Sequence, residues 1–140
     1  MRNEDPSSGR HADAKRPNST FNIQNPKLSQ AQRREIWETV RGSFYDPRTR
    51  KIHLAPNAPC YVAVHEWAHA RQHRMATIAY RFWEVTCAIP WVRRMSRLWV
   101  ECEADRMARA EMRRCGIWDE ESREISRMVL WNYARWIPLP

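Results

Sequence analysis

The segment His65-Glu66-Trp67-Ala68-His69 sets two imidazoles four residues apart, with a carboxylate directly after the first. On a helix, that spacing puts the two rings about 40° apart around the axis and one turn above each other, so both can converge on a single ion. Glu66 then projects beside them, within reach of whatever the ion binds. A surface helix on which two histidines merely line up satisfies the same pattern, so the motif needs support from elsewhere in the chain.

That support comes from Glu101-Cys102-Glu103-Ala104-Asp105. Glu101, Asp105, Ala108 and Met112 follow one another at spacings of four, three and four residues, which places them on one helix face. Carboxylates on so apolar a stripe need a partner, because burying them unpaired is costly. A metal ion is such a partner. Two neutral imidazoles and one carboxylate leave the fourth position of a tetrahedral zinc open, as a catalytic rather than a structural site requires. The pattern therefore predicts Zn2+ held by His65, His69 and Glu101. Asp105, one turn further on, is predicted to accept the outer N–H of a ligand histidine. Glu103 is the fallback ligand; it lies on nearly the opposite side of its helix from Glu101, so the two cannot face one ion. His73 continues the histidine face, but about 12 Å along the axis from His65 it is too far to share the ion. It is read as a supporting contact or a solvent-facing ring.

The elements that must position these groups are marked by caps and breakers. Ser29 caps a helix whose stripe is Ile36, Trp37 and Val40 and which ends at Gly42. Two β-prone runs, Ser43 to Tyr45 and Lys51 to Leu54, flank Asp46-Pro47 and predict a small hairpin. An unbroken helical pattern from about Pro59 to His73 carries the paired histidines. Further helices are predicted from about Thr77 to Ala88, stopped by Pro90, and from about Arg93 to Arg114, closed by Gly116. A last helix, capped by Asp119 or Ser122, runs to about Trp136. The fold class is α+β and mostly helical, about five helices with a hairpin before the histidine helix. Trp131, Tyr133 and Trp136 on the last helix are assigned to packing, with a substrate wall as the alternative.

A chain of 140 residues suits one catalytic domain with a tail. Residues 1–26 are rich in Pro, Ser, Asn, Asp and Arg and cannot bury enough surface to offset chain entropy, so they are read as a disordered arm preceding a domain over 27–140. The net charge is +8, and Lys appears only at Lys15, Lys27 and Lys51. Arg-rich helix exteriors account for that charge, and a weak contact with nucleic acid stays open as a second use of it. The cysteines Cys60, Cys87, Cys102 and Cys115 form no C-x-x-C pair, which predicts a reduced, cytoplasmic setting. Arg81, Glu84 and Pro90 interrupt the most apolar stretch, so no membrane span is expected.

His65-Glu66-x-x-His69 with Glu101-x-x-x-Asp105 resembles the gluzincin pattern of zinc metallopeptidases. The run Glu101 to Arg106 is similar to that of membrane-bound heat-shock and prenyl-protein endopeptidases, which have flanking transmembrane helices that this chain lacks. In size the chain is closer to soluble minigluzincins and to ImmA/IrrE-type peptidases, which are encoded by mobile elements and many bacteria. The resemblance covers roughly residues 28–115 and implies a zincin-like fold, in which the hairpin strand ending in Ile52-His53-Leu54 aligns an extended substrate. Metzincins fit less well, because Met75 stands where their third histidine belongs; crosslink-repair peptidases of the SprT type need a later histidine, and none follows His73.

The activity expected is hydrolysis of peptide bonds in an intracellular protein, with Glu66 as general base toward a zinc-activated water. The alternative is a regulatory or structural module on the same scaffold, without turnover. For the oxyanion donor, His53, Tyr45, Tyr80, Arg81 and Tyr133 are all chemically able, and no spacing separates them.

Overall fold

The computed structural model describes residues 28–135 apart from Cys87. The arm assigned to 1–26 and the aromatic Trp136 lie outside the described residues. The elements run α1 (Gln30–Gly42), β1 (Phe44–Asp46), β2 (Lys51–His53), α2 (Cys60–Met75), α3 (Ile78–Thr86), α4 (Pro90–Arg114) and α5 (Glu120–Arg135). The protein is thus mostly helical with one small antiparallel sheet, in the register Phe44↔His53, Tyr45↔Ile52 and Asp46↔Lys51.

Local chemistry accounts for the boundaries. Ser29 and Gln32 form a reciprocal capping box at the start of α1: Ser29 Oγ accepts from the Gln32 amide at 3.2 Å, and Gln32 Oε1 accepts from the Ser29 amide at 2.9 Å. Gly42 is the last residue of α1, and a Cβ there would stand 3.1 Å from the Ala55 Cβ, so the missing side chain lets the two segments approach. The hairpin turn is held by Asp46, whose carboxylate accepts from the Arg48 amide at 2.9 Å and the Thr49 hydroxyl at 2.8 Å. Pro90 does not stop a helix with a second one starting at Arg93; it is itself the first residue of α4, where its missing N–H costs nothing.

The longest helix, α4, packs along α2, and the two form the most extensive helix pair. Ala68 on α2 and Ala104 and Ala108 on α4 are completely buried, and such small side chains let two helix backbones approach closely. Around them Tyr61, Met112, Ile125 and Val129 complete a core in which each is 1% exposed. Burying an aliphatic side chain of this size contributes about 1.5–3 kcal/mol. Glu124 ties α1 to α5 by accepting from the Leu28 amide at 3.0 Å and pairing with Arg33. Among the described residues no helix is long and apolar enough to cross a membrane, and Cys60, Cys102 and Cys115 are free thiols.

Candidate metal centre

Because α2 and α4 lie so close, polar residues on their facing sides meet. His65 Nε2 is 3.1 Å and His69 Nε2 3.2 Å from the same atom, Glu101 Oε2, and one ligand atom from each residue lies within 4.8 Å of the others. Ligands of a tetrahedral zinc with bonds of about 2.0–2.1 Å stand about 3.3 Å apart. His65 and Glu101 are 4% and 3% exposed, and the two imidazoles cross nearly edge to face, at 87°.

The surrounding hydrogen bonds decide where the ring protons sit. Gln72 Nε2 donates to the Val100 carbonyl at 2.9 Å and to Glu103 Oε2 at 2.8 Å. Both are acceptors only, so the amide oxygen of Gln72 must face His69 Nδ1, at 2.9 Å, and that nitrogen carries the proton. At His65, the Tyr61 hydroxyl donates to Asp105 Oδ1 at 2.7 Å, which leaves the phenol oxygen to face His65 Nδ1 at 3.4 Å as acceptor. Each neutral ring therefore turns an Nε2 lone pair toward the Glu101 carboxylate. Three acceptors converging in a buried site are mutually repulsive unless a cation stands among them. That cation is either a proton taken up by a ring or a metal ion, and the donor set of two imidazoles and one carboxylate fits a metal ion.

The electrostatics follow the same logic. Burial opposes a charge on His69, but the adjacent Glu101 carboxylate outweighs it and raises the histidine's pKa. Burial likewise works against ionised Glu101, yet the His69 and His65 imidazoles hold its carboxyl well below the usual range. Burial, with the charge of Asp105, pushes the Tyr61 phenol far upward, so it stays a proton donor.

The other residues singled out in the sequence fall at different places. Asp105 makes no direct hydrogen bond to a histidine; fully buried, it accepts from Tyr61 and Ser126, pairs with Arg109 at 2.7 Å, and reaches His65 only through the Tyr61 hydroxyl. A carboxylate one turn beyond Glu101 is carried past the rings, and Tyr61, one turn before His65, fills the gap. Glu103, the fallback ligand, faces away from the triad and accepts from Gln72 and, at 2.6 Å, from the Thr77 hydroxyl. His73 bonds the Tyr45 hydroxyl at 2.7 Å through Nδ1 and joins β1 to α2. Gln72 and Tyr61 are the supports that the sequence reading missed, although each lies one helical turn from a candidate ligand on the same helix.

Glu66 is 7% exposed and lines a cavity of about 180 Å³ with His69, Glu101, Arg97, Tyr133 and Tyr80. Burial raises its pKa; the two imidazoles pull it down, Glu101 pushes it up, and the Tyr45 backbone amide again lowers it. The strand beside this cavity is β1, through Phe44 and Tyr45, and not β2 with Ile52 and His53, whose residues are all exposed. In a two-stranded sheet β1 keeps one edge that β2 leaves unpaired.

Of the five candidate oxyanion donors, His53 stacks on Phe44 and is not among the residues that line the cavity, Arg81 is exposed, and the Tyr45 hydroxyl is held by His73. Tyr80 and Tyr133 line the cavity, joined by Arg97, which no spacing rule had marked. Burial pushes the Tyr133 phenol up to about 12, so it remains a donor, with the Arg97 guanidinium 5.7 Å from its ring centre. Trp131, assigned to packing, is 66% exposed instead. Comparison of the chain with protein-family models, with curated proteins and with solved structures finds no match.

Proposed function

We propose that this protein is a zinc-dependent endopeptidase of gluzincin type, on a zincin-like scaffold, that cleaves peptide bonds of an intracellular protein. The observation that carries the reading is the convergence of His65, His69 and Glu101, each ring turning Nε2 toward the carboxylate, beside a buried Glu66 that belongs to no salt bridge among the described residues. A structural zinc needs four protein ligands, whereas three beside a cavity suit an ion that keeps a position for water.

His65, His69 and Glu101 would hold the metal, which when bound supplies Lewis acidity toward water and the scissile carbonyl. Glu66, its proton affinity raised by burial, accepts the proton of the attacking water and passes it to the leaving amine. Tyr133, with Arg97 beside it, donates to the oxygen of the carbonyl as negative charge develops there. The free edge of β1 offers main-chain hydrogen bonds to an extended substrate.

The test is a pair of substitutions. Glu66→Gln retains stoichiometric zinc but lowers kcat about 10²–10⁴-fold on a proteome-derived peptide library; Glu101→Gln loses zinc, as read by metal analysis. Equal cleavage by wild type and Glu66→Gln would refute the peptidase reading.

A further inference from the structure

The cavity at Glu66 adjoins a larger cleft of about 670 Å³, with which it shares Ser43, Phe44, Arg97 and Tyr133 as lining residues. Four arginines line that cleft: Arg41 from α1 and Arg93, Arg94 and Arg97 from α4. Among the described residues no Asp or Glu lines it. Two of the four have carboxylate neighbours outside the lining, Glu38 at 3.7 Å from Arg41 and Glu101 at 3.5 Å from Arg97. Arg93 and Arg94 take part in no salt bridge among the described residues. Helix α4 starts at this cleft with Pro90, with no side-chain cap and no acidic residue in its first turn. The C-terminal end of α1 meets the same cleft at Val40, Arg41 and Ser43, so the two opposed helix ends leave the arginines as its main charge. Trp37 and Leu98 add an apolar surface beneath the guanidinium groups.

We propose that this cleft is the specificity subsite of the enzyme and that it selects substrate segments bearing carboxylates. The inference rests on the peptidase reading, because what makes the cleft a subsite is the wall it shares with the cavity of Glu66. Guanidinium groups on two helices can each take a carboxylate through paired N–H donors, while Trp37 and Leu98 receive the aliphatic part of a glutamate side chain. A volume of this size admits a few side chains of an extended peptide; a single-stranded nucleic acid, whose bases stack on aromatic rings in cationic grooves, is the competitor that the oligonucleotide arm of the experiment excludes.

The experiment measures binding and cleavage separately. Amidated fluorescent decapeptides, identical except for two internal Glu or two Gln, are titrated onto zinc-loaded Glu66→Gln protein by anisotropy and offered to wild type for cleavage. A third peptide carries Gln with a free C-terminal carboxylate. The Glu peptide is expected to bind about tenfold more tightly than the Gln peptide at low salt, with the advantage shrinking as ionic strength rises. Preference for the third peptide over the Glu peptide would assign the cleft to a chain terminus and overturn the side-chain form of the proposal.

Arg93→Gln with Arg94→Gln, both exposed side chains, removes the preference through KM, leaving kcat on the Gln peptide within about twofold of wild type. Arg93→Glu with Arg94→Glu turns the preference toward a Lys peptide. Equal binding of Glu and Gln peptides overturns the proposal even if cleavage is robust. Tighter binding of a single-stranded oligonucleotide that displaces the Glu peptide overturns it in favour of nucleic acid. Acidic-peptide binding by the Glu66→Gln protein with no cleavage by wild type leaves the cationic cleft standing and refutes the peptidase reading instead.

Discussion

At the scale of single residues, the metal centre depends as much on the groups behind the ligands as on the ligands themselves. Gln72 holds the His69 proton on Nδ1 because both of its own N–H donors are taken by Val100 and Glu103. Supports of this kind typically change metal affinity about 10–100-fold. Gln72→Met, which keeps the volume and removes the amide, is expected to weaken zinc binding by about that factor in competition with a chromophoric chelator. Thr77→Val removes the other donor to Glu103 without touching His69 and should leave zinc affinity within about threefold of wild type. If the two variants bind zinc equally, the amide does not set the tautomer of His69.

At the scale of elements, α4 has to present Glu101 at one end of its contact with α2 and finish cleanly at the other. It finishes in a paired cap: the Gly116 amide donates to the Arg113 carbonyl at 3.1 Å and the Ile117 amide to the Met112 carbonyl at 2.9 Å. Gly116 sits at φ +70°, and a Cβ there would meet nothing within 4 Å, so the cost of any other residue is conformational and not steric crowding. Gly116→Ala is expected to destabilise the protein by about 1 kcal/mol, and Gly116→Asn by less, in urea titration, with zinc stoichiometry unchanged. A neutral Gly116→Ala would remove this account of the cap. The turn after α2 shows that the conformation is tolerated without glycine: Ala76 stands at φ +48° and is followed by Thr77, which braces Glu103.

At the scale of the whole molecule, metal occupancy and protonation are linked through the buried triad. Without metal, His69 has its pKa raised; its contribution to stability is complete below the ordinary histidine value and is lost as the pH rises through the raised one. Glu101 has its pKa lowered; its contribution is present above the ordinary carboxylate value and is lost as the pH falls through the depressed one. The metal-free protein is therefore expected to lose stability on the alkaline side of the histidine range. Metal needs the neutral ring, so the loaded protein escapes that loss. Zinc at about a thousandfold over Kd adds about 4 kcal/mol. Melting curves of chelated and zinc-loaded protein between about pH 5 and 9 should show a gap in Tm that widens with pH; a gap that narrows would contradict the linkage.

Much of this arrangement was legible one helix at a time. Helical periodicity puts His65 and His69 on one face of α2, and Glu101, Asp105, Ala108 and Met112 on one face of α4; Ser29 and Gly116 mark helix ends through local chemistry alone. What no periodicity contains is the offset of one helix against another. Packing across Ala68, Ala104 and Ala108 sets that offset, and it brings Glu101 to the histidines while carrying Asp105 past them to Tyr61. The same packing turns Glu103 to Gln72, places β1 instead of β2 beside Glu66, and gathers Arg97 and Tyr133 at the cavity from helices separate from the one that carries Glu66. Periodicity determines the face on which a side chain stands. The residue opposite it depends on how closely two helices can approach, and that belongs to the tertiary structure.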